Sequence, residues 1–244
     1  MTRPAAVPPL LAALNGARGP AEAAGVPRDP AALAEAAAEA VAAGAREVRI
    51  RPRTPCGGGS LSPRVVGPAL TAVRERVRVP VSVPVDAWAE PDPERRVARI
   101  RSWEVLPDLA WVAWDEPGAE ETAAALLARG VAVEAGLRHG TSGAARFARS
   151  PLAGRVRRIA AEAGGEPDGR AGGGVRAPLD GLGGPGGPSV LVYGTGAAAW
   201  PALRLARRLG VAGRIGLEDT LLLPDGTRAV STAEQVRAAL AGAG

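Results

Sequence analysis

The sequence predicts a (β/α)8 barrel, the TIM-barrel fold of the α/β class. Short runs rich in branched aliphatic residues alternate with longer, alanine-rich segments of helical pattern, which is typical of parallel strands joined by crossover helices. Eight such runs occur, and eight strands close this kind of barrel. The 244 residues, 46% of them hydrophobic, suit a single domain over residues 1–244.

The predicted elements follow one another in the order that a barrel requires. The eight predicted strands are Leu10–Asn15, Glu47–Arg51, Val79–Val85, Leu109–Trp114, Val131–Leu137, Val156–Ala161, Val190–Gly194 and Arg214–Glu218. Several of the seven predicted helices begin at proline or at a polar residue, as helix starts prefer. These helices are Pro30–Ala43, Pro63–Val77, Pro93–Trp103, Ala119–Arg129, Thr141–Arg149, Ala198–Leu209 and Thr232–Ala241.

The connection after the sixth predicted strand differs from the others. Residues 164–189 are too rich in glycine and proline to hold a helix, so we expect an irregular or partly disordered loop there. The alternative fold is an open doubly wound sheet. That fold is disfavoured because Asn15-Gly16-Ala17-Arg18, after the first strand, lacks the glycine spacing of a phosphate-binding turn.

Composition excludes several classes of function. The chain has no apolar run of transmembrane length and no cleavage signature near its start, so we expect a cytoplasmic protein that has no membrane partner. One cysteine, Cys56, and one histidine, His139, exclude an internal disulfide framework and a Cys/His zinc cluster. All 30 basic residues are arginines spread beside 25 acids, for a net charge of +5, so nucleic acid is not an expected partner.

Charged residues lie at the carboxyl ends of the predicted strands, where barrels of this kind build their sites. Glu47, Arg49 and Arg51 alternate along the second strand and share one face. If the opposite, apolar face meets the helices, the arginines point into the barrel and need carboxylate partners, of which Glu134 and Glu218 are available. The set predicts either a structural ion-pair network or a pocket for an anionic substrate, because a guanidinium binds carboxylate or phosphate in bidentate fashion.

Motifs along most of the chain match those of one enzyme family. The longest is Arg214-Ile215-Gly216-Leu217-Glu218-Asp219-Thr220, which follows Trp200-Pro201 and precedes a Leu-Leu-Pro-Asp-Gly segment. The others are Ala13-Leu14-Asn15-Gly16-Ala17-Arg18, Trp88 with Glu90-Pro91-Asp92-Pro93, Leu106-Pro107-Asp108, Glu116-Pro117-Gly118 and Val133-Glu134-Ala135-Gly136. Together these motifs resemble the β-keto acid cleavage enzyme family, also called the 3-keto-5-aminohexanoate cleavage proteins.

The resemblance implies a TIM barrel, assembled as a homo-oligomer, that condenses a small β-keto acid or other carboxylate with acetyl-CoA. The products in that family are acetoacetate and a new CoA thioester. A divalent metal, usually Zn²⁺, is held there by a His-x-His pair and by a glutamate that Glu218 matches, while Arg214 and Asp219 match residues assigned to substrate activation. The residues predicted to bind substrate here are Asn15, Arg18, Arg49, Arg51 and Glu134.

The sequence departs from the family at the metal site. Arg49-Ile50-Arg51 replaces the His-x-His pair, and a guanidinium offers only hydrogen-bond donors, so neither arginine can ligate a cation. Pro84-Val85-Asp86 and Tyr193 replace the family's Ser-Thr-Gly and a histidine. Two functions follow as alternatives. One is a divergent enzyme in which Arg49 or Arg51 polarises a carbonyl, and the other is a non-catalytic relative that binds a small anion or a protein partner.

Overall fold

The computed structural model describes residues 8–19, 21–23, 25–164 and 187–242. Within these residues the chain forms eight parallel strands and seven α-helices, and the strands close into a barrel in chain order, which confirms the TIM-barrel fold. The strands are β1 Leu10–Ala13, β2 Glu47–Arg49, β3 Val81–Val85, β4 Leu109–Ala113, β5 Ala132–Leu137, β6 Arg158–Glu162, β7 Ser189–Tyr193 and β8 Ala212–Ile215. The helices are α1 Pro30–Ala42, α2 Pro63–Arg76, α3 Pro93–Arg101, α4 Ala119–Ala128, α5 Gly143–Arg149, α6 Ala199–Arg208 and α7 Thr232–Ala241.

The irregular connection predicted between β6 and β7 lies almost wholly outside the described residues. Of residues 164–189, positions 165–186 are outside the part of the chain that the structure describes. The irregular loop and the single domain over residues 1–244 therefore stay predictions. Among the described helices, none has both the length and the apolar character needed to cross a membrane.

Proline and side-chain caps fix where the helices begin. α1 starts at Pro30, and the carboxylate of Asp29 accepts a hydrogen bond from an amide of the first turn. α3 starts at Pro93 after Asp92, which accepts two such bonds, and Ser231 caps α7 in the same way. These caps satisfy amides that have no partner within the helix, which is why the helices start where capping residues stand in the sequence.

The eighth strand differs most from its prediction. β8 ends at Ile215, whereas the sequence suggested a strand that continues to Glu218. Gly216 lies so close to β1 that an added Cβ would be 1.9 Å from the carbonyl oxygen of Ala13. The amide of Glu218 donates to that same carbonyl at 3.2 Å, outside the regular ladder. The acids that follow β8 therefore stand in a loop at the barrel mouth, and β1 and β2 likewise end two residues earlier than predicted.

Apolar residues pack on both faces of the strands. Outward-facing residues such as Val48 and Ile50 belong to the large core between the strands and the helices. Gly136 of β5 leaves room for Trp111, because a Cβ there would lie 2.2 Å from the indole. A smaller cluster fills part of the barrel interior and comprises Leu11, Ala13, Trp111, Ala113, Ala160, Leu191 and Tyr193.

Candidate active site

Four charged side chains form a chain of ion pairs across the barrel interior. Arg158 of β6 donates to both carboxylate oxygens of Glu47 of β2, at 2.6 and 2.8 Å. It also pairs with one oxygen of Glu134 of β5, whose other oxygen pairs with Arg49 of β2. Because β2 is adjacent to neither β5 nor β6, these contacts cross the interior. Arg49 is 1% exposed and lies over Trp111. Its positive charge is therefore balanced by Glu134 inside the barrel.

Burial and ion pairing act in opposite directions on the pKa of Glu134, the carboxylate shared by the two arginines in this chain of ion pairs. Burial raises the pKa of Glu134, but the charges of Arg158 and Arg49 outweigh burial and hold the pKa below its usual value. Glu134 is therefore ionised at neutral pH. Since each buried charge depends on its neighbour, removal of one member would leave the next one unpaired in a medium of low dielectric constant.

Arg51 lies at the barrel mouth, where its surroundings differ from those of Arg49. Its Nη1 donates to Oδ2 of Asp86 at 2.7 Å, and its Nε lies 3.5 Å from Oε1 of Glu218, an ion pair without hydrogen-bond geometry. The guanidinium carbon is 5.4 Å from the ring centroid of Trp88. The second oxygens of Asp86 and Glu218 are buried and accept no hydrogen bond from the described residues. Arg51 therefore stands beside two buried acceptors that have no hydrogen-bond partner among the described residues.

Arg214 and Asp219 form a second pair at the mouth. The Nε and Nη2 atoms of Arg214 lie 2.5 to 3.2 Å from the carboxylate oxygens of Asp219, and the guanidinium stacks 3.7 Å above the ring of Tyr193. Burial raises the pKa of Asp219 to about 6, against the opposing charge of Arg214. Burial also acts to raise the pKa of Glu218, but Arg51 and Arg214 outweigh it and keep that pKa low. Asp219 is therefore the better proton acceptor of the two adjacent carboxylates.

Two residues predicted to bind substrate contact the backbone instead of the centre of the mouth. The Asn15 amide donates to the carbonyls of Arg51, at 2.9 Å, and Pro27, at 3.2 Å, and its oxygen accepts from the amide of Arg51 at 2.9 Å. Arg18 donates from Nε to the carbonyl of Leu217 at 2.6 Å. In this structure, both side chains hold the segments after β2 and β8 in place.

A second network positions the loop after β3. Glu116, after β4, accepts a hydrogen bond from the amide of Ala87 at 2.8 Å. Its carboxylate also lies 3.2 Å from Arg96 of α3 and 3.1 Å from Arg138 after β5. The loop that carries Asp86 is thereby tied to two neighbouring strand ends.

No site role was predicted for Asp86 or Arg158, and Glu47 was predicted only to share the inward face of the second strand with Arg49 and Arg51. Asp86 was seen only as a departure from the family motif, although it follows β3 on the same alternation as inward-facing Ser82. Arg158 stands in register with Glu134 on the neighbouring strand. The alternation of residues along each strand could also have placed Asp86 and Arg158 inside, but it does not indicate which opposite charge each residue would reach.

The described residues do not fit a zinc ion. A zinc site requires three or four nitrogen, sulfur or oxygen ligands, and the described residues contain no cluster of three His, Cys, Asp or Glu side chains. Arg49 and Arg51 bring positive charge and hydrogen-bond donors only, so neither can ligate a cation. Glu218, the one residue that matches a family ligand, faces Arg51.

The fold and the site define a TIM-barrel protein with a charged site at the carboxyl ends of its strands, where barrel enzymes place their active sites. A family model for beta-keto acid cleavage enzymes matches residues 10–149 and 174–243. The chain belongs to the β-keto acid cleavage enzyme family, as its motifs indicate. A sequence comparison with curated proteins found no significant match.

Solved structures of ObcA share the fold. The complex of ObcA with oxaloacetate gives a TM-score of 0.65 at 15% identity, over 89% of this chain and 63% of that one. The ternary complex of ObcA with a C4-CoA adduct and oxalate gives 0.64 at 14% identity with the same coverage. The chain thus spans 63% of the length of ObcA. The homocysteine methyltransferase MmuM from Escherichia coli gives 0.59 at 15% identity, over 96% and 95% of the two chains.

Proposed function

We propose that this protein transfers the acyl group of a small β-keto acid to CoA, with acetyl-CoA as co-substrate, and that it does so without a bound metal ion. The observation that carries the proposal is the grouping of Arg51, Arg214, Glu218 and Asp219 at one mouth, with two cations beside two carboxylates of different pKa. Family membership supports the reaction class. The oxaloacetate and C4-CoA adduct bound by ObcA support a β-keto carboxylate and a CoA thioester as substrates.

The proposed reaction exchanges one carbon–carbon bond for another. The substrates R–CO–CH₂–COO⁻ and CH₃–CO–SCoA give acetoacetate, CH₃–CO–CH₂–COO⁻, and R–CO–SCoA. The bond between the methylene carbon and the R–CO carbon breaks, and the methylene carbon bonds to the acetyl carbon. The CoA thiolate released from the acetyl group takes up the R–CO group. Atoms and electrons balance, so the reaction requires no oxidant or reductant.

Three mouth residues, Asp219, Arg214 and Arg51, have roles in this scheme that their chemistry allows. Asp219 accepts a methylene proton, because its raised pKa makes it a stronger base than Glu218, and it returns the proton to the same carbon when the bond to the R–CO carbon breaks. Since Asp219 occupies Nε and Nη2 of Arg214, Nη1 remains for the substrate carboxylate. Arg51 donates to the ketone oxygen and stabilises the negative charge that develops there. It is a weaker electrophile than a metal ion, because it forms no coordination bond to that oxygen.

A non-catalytic function is the second candidate, and one observation favours it. Arg51 and Arg214 at the mouth are each already paired with a carboxylate before any ligand binds. Such a barrel could bind a small anion or a protein partner and perform no chemistry.

An assay for acetoacetate separates the two candidates. Purified protein is incubated with acetyl-CoA and a panel of β-keto acids that includes oxaloacetate. We expect acetoacetate well above the level formed by Asp219→Asn and Arg51→Met, while Arg99→Met, at an exposed site on α3, keeps the natural rate. Binding of a β-keto acid without acetoacetate formation would support the non-catalytic function. Equal acetoacetate from the natural protein and both mouth variants would contradict the proposed roles.

A further inference from the structure

An open cleft of about 700 Å³ lies beside the barrel mouth, between the segments after β1 and β2 and the start of α2. Three arginines line it, Arg28, Arg53 and Arg64. Within the described part of the chain, none of these three guanidinium groups forms an ion pair, in contrast to the arginines of the mouth. Asp29 also lines the cleft, and its carboxylate caps α1. The cleft therefore carries an excess of positive charge.

Arg53 is the arginine whose surroundings point most clearly to a ligand. It is only 7% exposed, and its Nη2 donates to the carbonyls of Gly16 and Arg18, at 2.7 Å each. Its Nε is buried without a hydrogen-bond partner among the described residues. Burial lowers the pKa of Arg53, and the charges of Arg51 and Arg28 lower it further. A buried cation beside other cations is unfavourable until an anion faces it.

The cleft and the mouth are connected through one side chain. Arg51 and Arg53 are alternate residues after β2, and the guanidinium carbon of each lies 5.4 Å from the ring centroid of Trp88. Trp88 also lines the cleft, while Arg51 faces Glu218 at the mouth. The cleft is therefore separated from the Arg51 end of the mouth by one indole ring.

We propose that this cleft binds the phosphate groups of a phosphate-bearing ligand. Three guanidinium groups against one carboxylate favour a ligand with two or more negative charges, and phosphate oxygens match the bidentate geometry of guanidinium. The identification of that ligand as the CoA thioester, with its acyl end beside Arg51, rests on the proposed function. Free diphosphate is the other source of the same chemistry.

Calorimetric titration of the whole chain tests the cleft. Inorganic diphosphate, adenosine 3′,5′-bisphosphate and CoA are titrated into the natural protein and into Arg28→Gln, Arg53→Gln and Arg64→Gln, with exposed Arg99→Gln as the charge-matched control. We expect Kd to rise about tenfold in each cleft variant and to stay unchanged in the control. Tighter binding of CoA than of diphosphate identifies the thioester, and equal binding identifies a free phosphate ligand. No binding of any probe, or equal Kd values in natural and cleft variants, overturns the proposal.

Cys56 provides a second readout that needs no substitution. It is the one cysteine of the chain, it is exposed, and it lines the cleft. Saturating acetyl-CoA, which has no free thiol to consume the reagent, should slow its alkylation by N-ethylmaleimide severalfold, and an unchanged rate overturns the proposal even where Arg53→Gln fails to fold. Binding in the cleft without acetoacetate formation leaves the cleft standing and removes the proposed function. Acetoacetate formation with an unchanged KM for acetyl-CoA in the cleft variants supports the proposed function and removes the assignment of the cleft to the CoA thioester.

Discussion

Two groups of charged side chains occupy the same barrel and differ in what they leave unpaired. In the interior chain, every carboxylate oxygen of Glu47 and Glu134 faces a guanidinium. At the mouth, Asp86 and Glu218 each keep one buried oxygen that accepts no hydrogen bond from the described residues. The carboxylates of the interior group are fully paired, although Nε of Arg49 is buried without a partner among the described residues, whereas two carboxylates at the mouth are only partly paired.

The difference depends on position along one strand. Arg49 lies within the β2 ladder and meets Glu134 across the barrel, while Arg51 lies two residues further on, after the ladder has ended. Asn15 fixes the backbone of Arg51 at that point. Two arginines two residues apart thus acquire different surroundings, because Arg49 is inside the barrel and Arg51 is at its rim.

The largest expected effect follows from removal of one interior charge. Glu134→Gln leaves Arg49 and Arg158 without their shared carboxylate, so we expect the free energy of unfolding to fall by about 3–5 kcal/mol in a urea titration. Glu218→Gln, at the mouth, is the matched control and should cost about 1 kcal/mol. Equal losses in the two variants would remove the distinction between interior and mouth.

The second effect separates the two arginines by activity. Arg51→Met should lower kcat/KM for the best β-keto acid by about a hundredfold, as expected for the loss of a donor to a developing oxyanion. Arg49→Met should destabilise the fold because it removes one of the two cations that pair with Glu134. It should change kcat/KM of the folded protein much less. A comparable loss of kcat/KM in folded Arg49→Met would show that Arg49 acts on the substrate.

A smaller effect is expected where a neutral side chain holds the rim. Asn15→Ala removes three hydrogen bonds to the backbone, two of them to Arg51, so we expect a loss of about 1–3 kcal/mol in the free energy of unfolding and a raised KM. Ser82→Ala is the control, because the buried hydroxyl of Ser82 has no partner among the described residues. If the two variants lose equal stability, the bonds of Asn15 do not secure the rim.

The smallest effect is a dependence on pH. Asp219 must be ionised to accept a proton, so kcat/KM should fall about tenfold per pH unit below a pKa of about 6 and be level above it. Glu218 stays ionised over this range because neighbouring arginines lower its pKa. Since the folded pKa of Asp219 is raised, its contribution to stability is greatest in acid and is lost as pH rises through about 6. An acid limb only below the ordinary range of a glutamate would assign the base to Glu218.

The fold could be predicted from the sequence because strand and helix patterns alternate along the chain, and because single residues such as Asp29 and Asp92 cap the helix starts. The end of β8 could not, since it depends on the contact of Gly216 with Ala13, which are distant along the chain. In the site, the alternation along β2 indicated which side chains share a face. It could not indicate that Arg158 would share Glu134 with Arg49, because that depends on distances across the closed barrel.

The claim that Arg51 serves where a metal ion would otherwise act is tested most directly by acetoacetate formation after metal removal. The natural protein is treated with a strong chelator, its metal content is measured by mass spectrometry, and kcat/KM is determined with acetyl-CoA and the best β-keto acid. We expect the same kcat/KM before and after treatment and no gain on addition of Zn²⁺. Loss of acetoacetate formation on chelation, with recovery on addition of Zn²⁺, would contradict the claim.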